Sequence, residues 1–181
     1  MTQEILVNIT PQETRVAVLD NGSLQEIHIE RSRSRGLVGN IYQGEVARVL
    51  PGMQAAFIEA GLARTAFLHA SDITAGRQVA SGSHADSAQI QQCLREQQRI
   101  RVQVLKDPIG GKGARLTTQI TIPSRYMVLM VDAPGVGLSA RIEGAAERER
   151  LKAIATQLIG ESSPHGCILR TAAEGADENA L

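Results

Sequence analysis

Short runs of apolar residues, often spaced at intervals of two and separated by turn residues, fill the first part of the chain. Three of them are EILVNI at 4–9, TRVAVLD at 14–20 and SLQEIHIE at 23–30. Asn21 and Gly22 join the second run to the third, and both residue types tolerate the positive φ of a two-residue hairpin turn. We therefore predict a three-stranded antiparallel meander. Without a covering helix it cannot bury both faces, so it must pack on another part of the whole protein.

The pattern resumes after RSRSRG at 31–36, which we interpret as a domain boundary. Turn residues at Pro51-Gly52, at Gly61-Leu62 and at 107–113 divide the following segment into short strands. The predicted strands are 38–49, 53–59, 64–68, 99–106 and 116–122. Five short strands of this kind predict a small barrel. Between the third and the fourth we predict a long polar loop at 69–87 and a short helical turn at 88–97.

The only two phenylalanines of the chain, Phe57 and Phe67, lie five residues on either side of Leu62. A hairpin that closes symmetrically at Leu62 makes them cross-strand neighbours on one face of the sheet. Two interpretations stay open on spacing alone. The rings are either a pair in the barrel core or a surface on which nucleic-acid bases stack, since OB-folds use the equivalent strands for that purpose.

A third region begins near Pro123 and mixes strands with a helix. We predict strands at 126–132, 138–142 and 166–171, and an amphipathic helix at 147–159 that ends at Gly160. The apolar positions of the helix follow helical spacing; they are Leu151, Ile154, Ala155 and Leu158. The acidic residues after Gly175 predict the start of a second helix. The chain as a whole is therefore predicted to be α+β and mostly β.

Composition narrows the class of protein further. No apolar run approaches the roughly 18 residues of a membrane span, and the amino terminus lacks a signal-like core, so we expect a cytoplasmic protein without a membrane partner. The cysteines, Cys93 and Cys167, have no partner at metal-ligand spacing. Net charge is zero, but residues 36–120 carry nine Lys and Arg against six Asp and Glu. This basic middle segment is the one that holds the aromatic pair.

Two further motifs have ordinary explanations. The histidines His69 and His84 lie in the long loop without metal-ligand spacing, so we expect no metal site there. Gly110-Gly111-Lys112-Gly113 lacks the spacer and the Ser or Thr of a phosphate-binding Walker loop. We interpret it as a hairpin turn that displays Lys112 at the rim of the barrel.

Long stretches of the chain resemble the amino-terminal part of the ribonuclease E/G family. The stretches are ETRVAVLDNGSLQEIHIER, GNIYQGEVARVLPGMQAAFIEAGLARTAFLHASDI, KGARLTTQITIPSRYMVLM and ILRTAAEG. Within the family, LQEIHIER, VLPGMQAAF and IPSRY are closer to the G branch than to the E branch. The resemblance covers the chain except for residues 74–97.

The resemblance implies three regions. Residues 1–35 would be part of a ribonuclease H-like subdomain, 36–122 an inserted OB-fold that binds RNA, and 123–181 the first part of a pocket that senses the 5′ end of RNA. The implied fold is a five-stranded OB-fold barrel inserted between a ribonuclease H-like β-meander and a partial α/β 5′-sensor region. The RNA-contacting aromatics of the family match Phe57 and Phe67, and its RNA-contacting lysine matches Lys112.

The family's contacts with a 5′-monophosphate match Arg170, Thr171 and a backbone stretch at 124–128, which begins at Ser124 and ends at Val128. Some members have glycine at the position of Ser124. A planar guanidinium beside a hydroxyl suits a terminal phosphate. Taken without the resemblance, an Arg-Thr pair at the end of a strand is more often structural.

The family cleaves single-stranded, A/U-rich RNA through magnesium held by two aspartates in a later subdomain, and it pairs its subunits through a zinc-binding cysteine motif. The resemblance thus implies an endoribonuclease of ribosomal RNA 5′-end maturation and mRNA decay, a homo-oligomer when whole. The aspartates present show no spacing typical of a shared metal; they are Asp20, Asp72, Asp86, Asp107, Asp132 and Asp177. We expect an amino-terminal fragment that binds RNA, contains no catalytic or metal-binding residue, and cuts nothing.

Two alternatives remain open at this point. A stand-alone, non-enzymatic OB-fold protein that binds RNA would share the barrel and the aromatic pair. An OB-fold that binds a protein or an oligosaccharide would share only the barrel.

Overall fold

The computed structural model describes residues 2–73, 89–160 and 162–181. Most of the predicted loop at 69–87, with His84 and Asp86, lies outside the described residues. The chain divides into two compact units, residues 1–37 and residues 38–181.

The first unit is a three-stranded antiparallel sheet in the order β1-β2-β3. Its strands are β1 (Gln3–Ile9), β2 (Glu13–Asp20) and β3 (Ser23–Arg31). Asn21 and Gly22 form the turn between the last two strands with φ of 48° and 79°. The predicted meander and its hairpin are therefore confirmed.

This sheet exposes apolar side chains on both faces. Ile5 and Val7 of β1 are 66% and 57% exposed, and Leu6 between them is 56% exposed. Successive residues of a strand point to opposite faces, so these three side chains divide between the two surfaces. Leu6 pairs with Ala17, which pairs in turn with Ile27, and Ile27 is 57% exposed as well. The sheet does not cover its own apolar surface, as the sequence predicts.

The second unit contains a closed five-stranded barrel in the order β4-β5-β6-β8-β7. Its strands are β4 (Ile41–Leu50), β5 (Ala55–Glu59), β6 (Ala66–His69), β7 (Arg99–Lys106) and β8 (Arg115–Thr117). The pairing of β6 with β8 is parallel, and the other pairings are antiparallel. The prediction of a five-stranded barrel is confirmed.

Inward-pointing aliphatic residues fill the barrel. The buried positions on its strands include Val46, Ala56, Ile58, Ala66, Leu68, Val102, Val104 and Leu116. The single-turn helix α1 (Ile90–Cys93) lies within the predicted helical turn and contributes the fully buried Ile90. The Ile90 backbone N–H donates to Oε1 of Gln54 at 3.1 Å, which ties α1 to the turn that precedes β5.

The predicted strand at 116–122 is wrong, because the chain leaves the barrel after residue 117. The backbone N–H of Thr118 and the hydroxyl of Thr117 both donate to the carbonyl oxygen of Asp72, each at 2.9 Å. The buried Gln103 side chain then pairs with the backbone of Thr121, accepting from its N–H at 2.9 Å and donating to its carbonyl at 2.8 Å. Side-chain and carbonyl partners replace the strand ladder at this bend.

A four-stranded sheet follows in the order β11-β12-β10-β9. Its strands are β9 (Thr121–Pro123), β10 (Met127–Met130), β11 (Gly135–Leu138) and β12 (Gly166–Leu169). β11 and β12 are parallel, and α2 (Ala145–Ile159) connects them and packs on both. The core under the helix is formed by Ile142, Leu151, Ala155, Cys167, Leu169 and Ala173. Burial raises the pKa of the Cys167 thiol.

The predictions for β11 and for the buried side of α2 need correction. The strand expected at 138–142 is β11 at 135–138; beyond it a turn forms, with Ile142 N–H donating to the Ser139 carbonyl at 3.2 Å. Leu158 of α2 is 49% exposed, and Ile159 packs against the core instead.

The second helix expected after Gly175 does not form. A 3₁₀ turn at Thr171–Ala173 precedes Gly175, and the residues after Gly175 form only a turn, in which the Ala180 N–H donates to the Asp177 carbonyl at 3.2 Å. None of the helices in the described part of the chain is long and apolar enough to cross a membrane.

Candidate functional site

The two phenylalanine side chains lie side by side on the outside of the barrel. Phe57 of β5 pairs directly with Phe67 of β6, and their ring centroids are 6.4 Å apart at an angle of 66°. Their strand neighbours Ala56 and Ile58 point inward and are fully buried. Because side chains alternate along a strand, the two rings face outward, and both are only partly buried. This geometry contradicts the interpretation of a core pair.

The phenylalanines are the second and third members of a row that crosses all five strands, which we call the outer row. The strand register aligns Arg48 with Phe57, Phe57 with Phe67, Phe67 with Arg115, and Arg115 with Lys106. Register shifts in β4 before Arg48 and in β7 before Lys106 turn these two side chains outward. Neither of them has an ion-pair partner in the described ranges. The outer row therefore places two aromatic rings between cationic side chains.

Lys112 lies in the turn between β7 and β8, and this turn contacts the β5–β6 hairpin. A Cβ atom at Gly113 would lie 2.0 Å from the Thr65 carbonyl oxygen, so only glycine permits the approach. The neighbouring Phe67 N–H donates to the Ala114 carbonyl at 2.8 Å. The Lys112 side chain is exposed. The structure thus brings the turn that carries Lys112 next to the hairpin that carries the phenylalanines.

His69 extends the aromatic surface beyond the two phenylalanines. Its ring centroid is 6.4 Å from that of Phe67, at an angle of 35°. Nδ1 of His69 accepts from the Ser71 N–H at 3.2 Å, which caps the 3₁₀ turn at Ala70–Asp72. The sequence predicts His69 at the start of a loop, but the residue ends strand β6. The spacing of two between Phe67 and His69 was the signal that both lie on one face of a strand.

Arg115 of the outer row is paired with Asp72. Nε of Arg115 donates to Oδ2 of Asp72 at 2.8 Å, and the pair raises the pKa of the arginine, mainly through this hydrogen bond. Asp72 follows β6 closely, and its carbonyl oxygen is the acceptor that bends the chain after Thr117. The carboxylate is 14% exposed and the guanidinium side chain 43% exposed.

A second group of candidate residues lies at the end of β12. Nη1 of Arg170 donates to the Ser124 carbonyl at 2.7 Å, and the Arg170 N–H donates to the Tyr126 carbonyl at 2.7 Å. The Ser124 side chain is turned into its own loop, where its hydroxyl donates to the Met127 carbonyl at 2.9 Å. Val128 lies in β10 and pairs with Pro123 and Ile168. Arg170 is thus bonded to the 124–128 stretch.

Thr171 has a partner that the sequence did not reveal. Its hydroxyl lies 3.1 Å from the hydroxyl of Ser139, and Ser139 also accepts from the Arg141 N–H at 3.3 Å. Leu138 and Leu169 are paired in the parallel strands β11 and β12, so the residues that follow them meet at one edge of the sheet. Only knowledge of this parallel pairing could have added Ser139 and Arg141 to the candidate site.

The segment after Thr171 is fastened to α2 by Glu147 and Arg150. Two guanidinium nitrogens of Arg150 donate to the Glu147 carboxylate at 2.7 and 2.6 Å, and the Gly175 N–H donates to the same carboxylate at 2.9 Å. Arg150 also donates to the Ala176 carbonyl at 2.9 Å. The hydrogen bonds from Arg150 and from Gly175 lower the pKa of Glu147 from 4.5 to about 2.

Within residues 2–73, 89–160 and 162–181, no group of three or more His, Cys, Asp or Glu side chains could hold a metal ion. Asp72 and Asp132 are each bonded to an arginine, at 2.8 Å in both cases. Because an arginine already bonds to each of them, these carboxylates do not fit a magnesium or zinc centre.

Comparison with known proteins identifies relatives over the whole chain. The model of the ribonuclease E/G family matches residues 121–181. Ribonuclease G of Escherichia coli (strain K12) is 55% identical over 184 aligned positions, which cover 100% of this chain and 37% of that protein. The chain is homologous to the ribonuclease E/G family. Ribonuclease G of Haemophilus influenzae is 50% identical over 98% of the chain.

The prediction that the chain is closer to the G branch of the ribonuclease E/G family is confirmed. Ribonuclease E of Nostoc sp. (strain PCC 7120) is 39% identical over 96% of this chain, which is below the identity to the two ribonuclease G proteins. The chain corresponds to an amino-terminal portion of the family's proteins. It spans 37% of the length of the Escherichia coli relative.

We predict that acid releases the segment after Thr171. The low pKa of Glu147 means that its contribution to stability is complete above pH 4.5 and is lost as pH falls toward 2. Hydrogen exchange of the Gly175 amide should therefore be slow at neutral pH, after correction for intrinsic rates, and lose its protection across this interval. Glu147→Gln should abolish the pH dependence. Protection that is independent of pH in both proteins would contradict the prediction.

Proposed function

We propose that these 181 residues are the RNA-binding region of a single-strand-specific endoribonuclease resembling ribonuclease G. The observation that carries the proposal is the outward-facing pair Phe57 and Phe67, set in a row of cationic side chains on a chain homologous to the ribonuclease E/G family. Aromatic rings stack on bases of any sequence, and nearby cations bind the phosphates between them. Single-stranded, A/U-rich RNA is the proposed ligand.

The topology of the barrel supports an OB-fold. Its five strands, counted along the chain, lie in the order first, second, third, fifth, fourth. OB-folds are five-stranded Greek-key barrels that bind oligonucleotides on the second and third strands, and on the loops after the first and the fourth. Phe57 and Phe67 lie on those two strands, and Lys112 lies in the loop after the fourth. We assign residues 36–122 to this OB-fold and propose Lys112 as an RNA contact.

We infer that residues 123–181 bind the 5′-monophosphate of the RNA. Arg170 would offer its remaining guanidinium donors and Thr171 its hydroxyl, and the backbone from Ser124 to Val128 would close the other side. The hydrogen bond from Arg170 to the Ser124 carbonyl supports this arrangement, because it fixes the guanidinium beside that backbone. Ser139 adjoins Thr171, the Arg141 backbone N–H bonds to Ser139, and both residues would complete the pocket.

We further propose that residues 1–35 are part of a ribonuclease H-like subdomain. The exposed apolar side chains on both faces of their sheet support this proposal. In the whole protein, magnesium bound by two aspartates outside these residues would supply the hydrolytic chemistry, and a zinc-binding cysteine motif would pair subunits. The cellular role we propose is ribosomal RNA 5′-end maturation and mRNA decay in the cytoplasm. These proposals rest on homology to the ribonuclease E/G family.

The aromatic pair can be tested without altering the core. Phe67→Ala or Phe57→Ala should weaken binding of a single-stranded oligoribonucleotide by about 1–3 kcal/mol, because one stacking surface is lost. The loss of stability should stay below the roughly 3–5 kcal/mol of a buried phenylalanine. Phe67→Leu is the matched variant, since it keeps apolar bulk but removes the aromatic face, and it should also weaken binding. Thermal melts beside RNA titrations decide the matter; a large drop in Tm with unchanged affinity would reject stacking.

The 5′ pocket predicts a preference between two RNAs that differ only in their end group. A charge-assisted hydrogen bond is worth about 1.5–3 kcal/mol, so 5′-monophosphate RNA should bind about tenfold more tightly than 5′-hydroxyl RNA. Arg170→Ala should abolish the preference, and Arg170→Lys should restore it only in part because lysine lacks the planar fork. Lys152→Gln on the exposed side of α2 is the control for charge. Equal affinities of the wild-type chain for both RNAs would remove the sensing role.

The chain alone should not cut RNA, since the aspartates that hold magnesium in the family are proposed to lie outside it. A fluorescent A/U-rich oligonucleotide incubated with this chain and magnesium should stay intact on a denaturing gel. Cleavage by a preparation of verified purity would show that a catalytic group lies within these residues.

A further inference from the structure

The guanidinium of Arg115 is held at one edge and open at the other. Asp72 accepts from Nε at 2.8 Å, and no residue in the described ranges accepts from the two Nη groups. An arginine has five N–H donors in a planar fork, so four donors remain available to a ligand. The Arg115 side chain is 43% exposed, which leaves these donors within reach of one.

Asp72 is a rigid anchor for this arginine. Its carbonyl oxygen accepts from the Thr117 hydroxyl and from the Thr118 N–H, both at 2.9 Å. It ends the 3₁₀ turn that follows β6, and its side chain is only 14% exposed. The backbone of Asp72 is therefore held in place, and the bond from Nε to its carboxylate orients the fork of Arg115.

Arg115 is also the cationic neighbour of Phe67 in the outer row. The two residues are register partners on the parallel strands β6 and β8. Neighbouring strands lie about 4.8 Å apart. A nucleotide whose base stacks on Phe67 thus has a phosphate within reach of the open edge of Arg115.

We propose that Arg115 is a phosphate-binding residue of the outer row, and that Asp72 positions its guanidinium so that the two Nη groups meet the phosphate beside the base stacked on Phe67. This inference rests on the proposed function, because it requires RNA on the outer row. It adds a phosphate contact and a positioning residue to the surface formed by the phenylalanines.

Removing the Asp72 carboxylate distinguishes positioning from simple charge, because the two predict opposite changes in RNA affinity. Charge alone predicts that removing a carboxylate near a phosphate tightens RNA binding. Positioning predicts the opposite, since a free guanidinium must lose more side-chain entropy to form the same two hydrogen bonds. The two explanations therefore predict changes of opposite direction for a single substitution, Asp72→Ala, which removes both the charge and the acceptor of the Nε hydrogen bond.

The test uses the whole chain and a 5′-hydroxyl single-stranded oligoribonucleotide, so that the 5′ pocket adds nothing to the affinity. Arg115→Gln should weaken binding about tenfold and reduce the slope of log K against log salt by about 0.7, the value for one phosphate contact on a single strand. Arg115→Lys should keep the slope but weaken binding severalfold, because lysine cannot form the fork. Asp72→Ala should weaken binding about threefold, with its slope unchanged.

Asp132→Asn is the control for the loss of one negative charge. Asp132 bonds to Arg101 at 2.8 Å, the same N···O distance as in the Asp72–Arg115 pair. Arg101 precedes Lys106 by five residues on β7, so its backbone lies about 16 Å from the outer row. Asp132 has φ of 54°, a conformation that asparagine tolerates. This variant removes the same charge and should leave affinity within twofold of the wild type.

The outcomes separate the inference from the proposed function. If Phe67→Leu weakens RNA binding but Arg115→Gln leaves the salt slope unchanged, only the role of Arg115 is overturned. Unchanged or tighter binding by Asp72→Ala would overturn its positioning role. The proposed function itself would be refuted if the wild-type chain binds no RNA, or if Phe67→Leu leaves its RNA binding unchanged. Thermal melts verify folding of each variant, and the two Arg115 variants still test the phosphate contact if Asp72→Ala does not fold.

Discussion

The parallel pairing of β6 with β8 is the constraint on which the barrel depends. It joins segments separated by more than forty residues of chain and closes a sheet whose other neighbours are all antiparallel. Without it, two strands would carry unpaired backbone groups at open edges. The same pairing places Arg115 beside Phe67, so the closure of the barrel and the composition of its outer surface have one cause. The close approach of Gly113 to Thr65 maintains this geometry at the rim.

Two arginines in different parts of the second unit are each held by one hydrogen bond from the guanidinium to the protein. Arg115 is fixed by the carboxylate of Asp72, and Arg170 by the carbonyl oxygen of Ser124. Each guanidinium donates one N–H to the protein, and our proposals assign the other N–H groups to a ligand. A side chain that is already ordered loses less entropy when it binds, which is the advantage of pre-organisation. Cations held in this way can act locally although the chain as a whole has zero net charge.

The sequence predicts what depends on local pattern and misses what depends on pairing or on side-chain hydrogen bonds. Asn21-Gly22 and the symmetric placement of Phe57 and Phe67 were predicted because a two-residue turn and a period of two settle them. Arg48 and Lys106 join the outer row only through register shifts, which no residue pattern announces. The strand at 116–122 failed because Gln103 and the Asp72 carbonyl take over its backbone partners. Ser139 meets Thr171 because two distant strands are parallel.

The exposed faces of the amino-terminal sheet determine how its own stability must be understood. A three-stranded sheet with apolar side chains left in water on both sides gains little hydrophobic free energy from its internal contacts. Its order then depends on linkage: whatever covers those faces stabilises the sheet by mass action, and its melting follows the concentration and affinity of that cover. The melting temperature of residues 1–37 therefore depends on how tightly those faces are covered as well as on the contacts within the sheet.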